Sequence, residues 1–355
     1  MIAAQFYNTF YLIIVSILTI INIKTKRISG MVEPPFPSMF LCLFMILFIG
    51  FRPISYVFVD MMNYARYWKK AYWYSFDFQS ENVLFDNLYN YMAGTGISVE
   101  MFFLLIASIY FGGMYGACRK LFPNYVLLSF LIYLAAFSTF TYGTNGIKAG
   151  AAASLFLMAL AYRDKIVWSI FFLLLSLGFH HSMQLPVAAY FLTLIIRDKR
   201  CFFYGWLFCL LMAIAHISTF QELFAGATDE RGAGYLNSDA NQSWGGKSGF
   251  RLDFVIYSAM PVLMGYYVKY KYQLEDKIYD VMLNVYLVCN GVWMLCMYAQ
   301  FTNRIAYLSW FMYPLLLIYP CLAINESTHP LVRNRNKIIM AHLGFTLFMS
   351  LIYYS

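Results

Sequence analysis

Long apolar runs recur from one end of the chain to the other, separated by short breaks that carry charge, proline or glycine. In hydrocarbon every backbone amide has to be satisfied by the protein itself, which leaves only helices or a closed barrel. Barrel strands alternate apolar and polar residues over about ten positions. Runs such as Tyr11–Ile23 and Phe202–Ile214 carry no charge and no such alternation. The barrel is excluded. The composition agrees: 12% of the 355 residues are charged and 61% are hydrophobic, whereas a soluble domain carries about 25% charge. No stretch between runs is longer than a loop, so residues 1–355 are expected to form a single transmembrane domain.

Read against their breaks, the runs give twelve spans, each near the 17–25 residues or so that a bilayer requires or slightly short of it. They cover 5–23, 36–51, 97–117, 125–144, 146–162, 166–180, 182–196, 202–220, 254–270, 278–299, 305–324 and 338–354. Ile166–Ile196 is long for one helix and short for two. It is divided at His180–Pro186 because Arg163 and Lys165 flank one end and Arg197, Lys199 and Arg200 the other. Met1–Asn8 lacks the basic stretch of a cleaved signal, so the first helix is expected to remain.

Lysine and arginine sort between alternate loops. The groups at 24–27, 119–120, 163–165, 197–200, 269–277 and 333–337 hold 16 of the 25 basic residues, all on one side of the twelve-span arrangement. The other side has nine, against ten acidic residues. Both termini are therefore expected to be external, and the net charge of +8 is a topology signal, with no nucleic-acid partner implied.

Two external loops are long, 52–96 and 221–253. The first holds Tyr64, Tyr67, Trp68, Tyr72, Trp73 and Tyr74, a set that suits an interfacial aromatic belt or stacking on sugar rings. The second is rich in glycine, as a mobile lid would be. Four cations sit at external helix ends: Arg52, Lys148, Arg251 and Arg304. Each alone can snorkel, but together they suit a diphosphate or another polyanion. His180 and His181 interrupt an apolar run on the same side, and imidazole exchanges protons near neutral pH. Asp60 and Tyr64 share a face if that segment is helical, and Glu81 follows in the same loop.

Other features carry no chemistry. The seven cysteines form no CxxC pair, so neither a disulfide nor a metal site is expected. Gly246-Lys247-Ser248 imitates the end of a P-loop, but Asn241 stands where its first glycine belongs. Gly146-x-x-x-Gly150 followed by Ser154 is a stripe for close helix packing.

The order Gly50-Phe51-Arg52, Asp60-x-x-x-Tyr64, Glu81-x-x-x-Phe85, Ile147-Lys148, Phe179-His180-His181-Ser182 and Arg304-Ile305-Ala306-Tyr307 resembles the EpsG branch of Wzy-type bacterial polysaccharide polymerases. The resemblance runs from the second span to the eleventh. It implies an all-α, GT-C-like bundle of about twelve transmembrane helices in the bacterial cytoplasmic membrane. The implied reaction polymerises undecaprenyl-diphosphate-linked oligosaccharide repeat units into a surface polysaccharide on the outer face, alongside flippase and chain-length regulator proteins. His180 is then the candidate base, with Asp60 and Glu81 as rivals. Arg52 and Arg304 would stabilise the leaving diphosphate, and Lys148, Arg251, Tyr64, Tyr307 and His181 would contact substrate. Fixed cations can replace a divalent metal, and no Asp-x-Asp motif is present, so neither metal nor cofactor is expected.

A transporter or flippase of lipid-linked glycan is the alternative, since twelve spans also suit carriers. The two halves show no repeat, and the unusual polar residues gather at one surface, which favours an enzyme. An O-antigen-ligase-like transferase is the alternative within the same class.

The topology has a direct test. Single cysteines at Ser75 and Ser238 in a cysteine-free background should react with an impermeant thiol reagent in intact spheroplasts, and one at Asn334 should not.

Overall fold

The computed structural model describes residues 2–25, 34–217, 219, 249–299, 302–324, 326 and 328–354. Among them all regular structure is helical. Lys26, Arg27, Arg231, Lys247 and nearly all of the glycine-rich loop 221–253 lie outside the described residues. Four helical stretches are long and apolar enough to cross a membrane: Ala4–Lys24, Val99–Leu121, Lys277–Leu295 and Thr302–Ala323. Shorter apolar helices include Pro35–Gly50, Ile147–Ala161, Ile166–Phe179 and Arg200–Ile214. These are the helices of a multi-pass membrane protein.

The chain divides into two compact units, residues 1–183 with 318–355, and residues 184–317. The first unit contains α1 (Tyr7–Lys24), α2 (Pro35–Gly50), α3 (Asp60–Trp68), α4 (Val83–Gly94), α5 (Val99–Leu121), α6 (Val126–Leu134), α7 (Thr139–Thr144), α8 (Ile147–Ala161) and α9 (Ile166–Phe179). The second contains α10 (Gln184–Ile195), α11 (Arg200–Ile214), α12 (Leu252–Tyr266), α13 (Lys277–Leu295) and α14 (Thr302–Trp310). It ends within α15 (Tyr313–Ala323), after which α16 (Pro330–Arg333) and α17 (Arg335–Tyr354) belong to the first unit.

Within the first unit α8 packs against both α5 and α9, and α5 also packs on α2. The hydroxyls on these faces donate to backbone carbonyls of the neighbouring helix: Ser154 to Ile109 (3.1 Å), Ser169 to Ala159 (3.0 Å) and Ser176 to Ala152 (2.7 Å). Lipid offers a helix pair no hydrophobic drive to associate, so close approach and such bonds hold it together. A Cβ on Gly113 would stand 2.7 Å from Ser154 Oγ, and one on Gly150 would strike the Tyr142 carbonyl oxygen. The Gly146, Gly150 and Ser154 stripe is thus packed on both flanks.

In the second unit α13 runs against α10, α11, α12 and α14. Trp206 Nε1 donates to Asn290 Oδ1 (2.8 Å), Asn290 Nδ2 donates to Ser309 Oγ (3.0 Å), and Trp310 Nε1 donates to Ser258 Oγ (2.8 Å). Each buried indole N–H has found an acceptor, as a buried tryptophan requires.

Three apolar runs differ from unbroken spans. Residues 125–144 form α6 and α7, separated by a turn in which the Thr139 hydroxyl donates to the Tyr133 carbonyl (2.8 Å). The run 305–324 carries a turn between α14 and α15. The run 254–270 contains Pro261 and widens into a π-type turn at Tyr267–Lys271. The segment 52–96 is largely helical. Its α3 turns Trp68 inward, with Nε1 donating to the Ile97 carbonyl (3.1 Å) and the ring edge-on to Tyr89. Tyr67, Tyr72 and Tyr74 face outward.

Gly150→Val should destabilise the protein by about 1–3 kcal/mol, because a backbone carbonyl cannot move aside as a side-chain rotamer can. A lowered midpoint in thermal unfolding of detergent-solubilised protein, with Gly112→Val nearly silent, is the expected result; a Cβ at Gly112 meets nothing within 4 Å.

Candidate functional site

The polar centre of the first unit is built on the start of α4. Asn82, at the N-cap position, is 2% exposed. Its backbone N–H and its amide Nδ2 both donate to Asp86 Oδ2, at 3.1 and 3.4 Å. Its Oδ1 accepts the backbone N–H of His181 at 3.1 Å. These bonds orient the amide, with nitrogen toward Asp86 and oxygen toward His181. Asp86 Oδ1 accepts from Lys148 Nζ at 2.9 Å, and that ammonium lies 4.8 Å from the centre of the Phe85 ring. Phe85 is itself wedged edge-on against Phe102 of α5 and Phe179 of α9.

The two histidines occupy the break between α9 and α10. His180 ends α9, its N–H donating to the Ser176 carbonyl (3.1 Å), and then turns extended. Its Nδ1 accepts the backbone N–H of Ser182 at 3.1 Å and lies 2.8 Å from the Ser182 hydroxyl. That ring nitrogen therefore carries a lone pair, and a neutral His180 holds its proton on Nε2. The opposite holds for His181. Its Nδ1 stands 3.2 Å from Glu81 Oε1 and 3.2 Å from Asn82 Oδ1, two acceptors, so it must carry a proton. A neutral His181 then presents a lone pair at Nε2. The two rings stack with centroids 4.8 Å apart.

The other candidates of this unit are placed differently. Arg52 is 2% exposed. It donates from Nη1 to the Ile49 carbonyl and from Nη2 to the Thr144 carbonyl, both at 2.8 Å, so its fork joins the C-terminal ends of α2 and α7. Asp60 opens α3, where the helix dipole favours a carboxylate. The Tyr64 ring tilts over Phe85 and Tyr89, and its carbonyl accepts the Tyr89 hydroxyl (2.6 Å). Beside α4, the Asp77 backbone exchanges two 2.7 Å hydrogen bonds with the Asn87 amide. The Gln79 backbone N–H and the Ser80 hydroxyl hold the Asp77 carboxyl below the ordinary aspartate range.

The remaining three belong to the second unit. Arg251 grips Asp253 with Nε and Nη2, at 3.0 and 2.7 Å, and lies 3.7 Å over the Phe254 ring. Arg304 is an exposed residue in the first turn of α14, and Tyr307 of the same helix is buried.

The structure thus brings together Glu81, Lys148, His180 and His181 from three separate segments. Sequence analysis missed two of the residues that connect them, Asn82 and Asp86, and named Ser182 only as part of the family motif, without a role. A signal was present, since Asn82 and Asp86 are spaced i, i+4 around the apolar triplet Val83-Leu84-Phe85, but an N-cap partner is recognised only once the helix start is known. Among the described residues no group of three His, Cys, Asp or Glu side chains is arranged to hold a metal ion.

A polytopic helical membrane protein with a carboxylate–imidazole pair and a neighbouring ammonium at one set of helix ends is the class these features define. The chain belongs to the EpsG family, whose sequence profile it matches over residues 36–355, and the family is associated with exopolysaccharide synthesis. No curated protein and no solved structure matches it significantly.

The Asp86–Lys148 pair is partly shielded, with side chains 29% and 23% exposed. Combining Asp86→Asn with Lys148→Met in a double-mutant cycle should give a coupling of about 0.5–3 kcal/mol in thermal unfolding. Additive effects would mean that the pair contributes nothing.

Proposed function

We propose that this protein is a glycosyltransferase that joins undecaprenyl-diphosphate-linked oligosaccharide repeat units on the outer face of the bacterial cytoplasmic membrane, within a bundle of about twelve spans. The observation that carries this reading is the Glu81–His181 pair, oriented by buried Asn82 and followed within the same network by Lys148. Glycosyl transfer to a hydroxyl needs a base at the acceptor and positive charge at the leaving group.

In the proposed step His181 Nε2 takes the proton of the acceptor hydroxyl as that oxygen bonds to the anomeric carbon. The bond from the anomeric carbon to the diphosphate oxygen breaks, and the lipid diphosphate leaves with the electron pair. Glu81 stabilises the imidazolium through Nδ1. An ammonium has three N–H donors, and Asp86 occupies one on Lys148, so the others serve the diphosphate. His180, whose Nδ1 is occupied by Ser182, acts as a positioning residue through its stacked ring. Arg52 positions Lys148 indirectly by holding α7 ahead of α8. No step requires a metal.

Purified protein given a synthetic lipid-linked repeat unit in the presence of EDTA should produce a ladder of products on a gel. A single transfer to a different acceptor would make it a ligase, and no product would leave a carrier. His181→Ala should lower turnover by roughly two to four orders of magnitude, with His180→Ala much milder. The reverse order would return the base to His180.

The family resemblance extends the proposal to Arg304 as a phosphate ligand. A snorkelling arginine needs only charge and a long stem, whereas a phosphate contact uses the planar fork. Arg304→Lys should therefore cost at least about 1.4 kcal/mol of transition-state stabilisation, roughly tenfold in rate. Full activity in the lysine variant would make Arg304 a surface anchor.

A further inference from the structure

In the second unit, the break at 196–199, the first turn of α11, the π-type turn at Tyr267–Lys271 and the start of α13 line an open cavity of about 250 Å³. Four cations line it, Arg197, Lys199, Arg200 and Lys269, against two carboxylates, Asp198 and Asp280. Asp280 is buried and anchors both lysines: Lys269 Nζ lies 2.7 Å from its Oδ1, and Lys199 pairs with its Oδ2. Lys269 also donates to the Leu274 carbonyl at 2.6 Å. Asp198 Oδ1 accepts the Arg200 backbone N–H at 2.9 Å and so tethers the start of α11.

The two acids are thus engaged in holding the walls, and the lining keeps two charges in excess. Arg197 and Arg200 form no ion pair among the described residues, and Arg200 opens a 15-residue helix whose positive dipole end meets the cavity. A basic loop that only sets topology needs no concave pocket and no buried carboxylate to fix its lysines. This one has both.

We propose that the cavity binds a phosphate group, with the forks of Arg197 and Arg200 on its oxygens and the Asp280-anchored lysines behind them. Planar guanidinium forks match phosphate geometry, and basic pockets at helix ends in membrane proteins take phospholipid head groups. The volume admits a phosphate group but no acyl chain. The ligand is therefore a free phosphate species, or the head group of an anionic phospholipid whose chains lie outside. The site is independent of glycan transfer.

The test uses full-length protein in detergent, with unfolding temperature recorded against inorganic phosphate, short-chain phosphatidylglycerol or short-chain phosphatidylcholine. A saturable rise with phosphatidylglycerol alone identifies a head-group site, and an equal rise with phosphate identifies a free phosphate species. In either case R197Q/R200Q should raise the half-saturating concentration at least tenfold, while R119Q, at the basic end of α5, should leave it unchanged. R197K/R200K keeps the charge and should fall between, which guards against misfolding of the glutamine variant. No saturable rise with either anionic probe, an equal response to phosphatidylcholine, or unchanged binding in R197Q/R200Q would overturn the proposal.

Discussion

The guanidinium of Arg52 reaches the carbonyls of Ile49 and Thr144 and so ties together the last turns of two helices, α2 and α7. A helix that stops leaves its final carbonyls without partners, and water is not there to supply them at the buried end of an apolar segment. A cation at two helix C-termini satisfies those carbonyls and lies along the favourable direction of both dipoles. The rings of Phe58 and Phe103, 5.5 and 5.2 Å away, complete its surroundings. This joint sets where segment 52–96 leaves α2 and where α8 begins. It thereby sets where Lys148 stands.

The same requirement recurs at the other breaks. Ser182 donates its backbone N–H to the His180 ring, Asn82 meets the freed N–H of His181, and Asp86 reaches back to the N–H of Asn82. In the second unit Asp276 caps α13 by accepting from the N–H groups of Ile278 and Tyr279. Polar side chains are scarce in this chain, and those at the breaks act first as replacements for lost backbone bonds. His181 gains its defined tautomer because the atoms that cap the break are acceptors on one side of its ring.

The histidine pair illustrates how far side-chain identity leads. Two adjacent imidazoles in an apolar run mark a site on composition alone, and both belong to the stretch that resembles the family. Which ring nitrogen carries the lone pair is set for His181 by Asn82, 99 positions away in sequence, and for His180 by Ser182, two positions away. Arg52 and Arg251 show the same limit. Each is a cation at a helix end, yet one is engaged with carbonyls and the other with Asp253.

Continuous apolar runs and the spacing of breaks determined the helical class and the approximate position of the helices, because a segment that cannot hydrogen-bond to water has to satisfy its own backbone. They also determined the division near His180, since no single helix could join two basic ends at that length. Tertiary structure alone decided that the runs 125–144 and 305–324 bend within themselves. It also decided that Asp86 joins Lys148 to Asn82 and that a buried Asp280 gathers two lysines beside a cavity. Such pairings depend on distances between segments remote along the chain, and a linear pattern of hydrophobicity carries no information about which polar groups meet when helices pack.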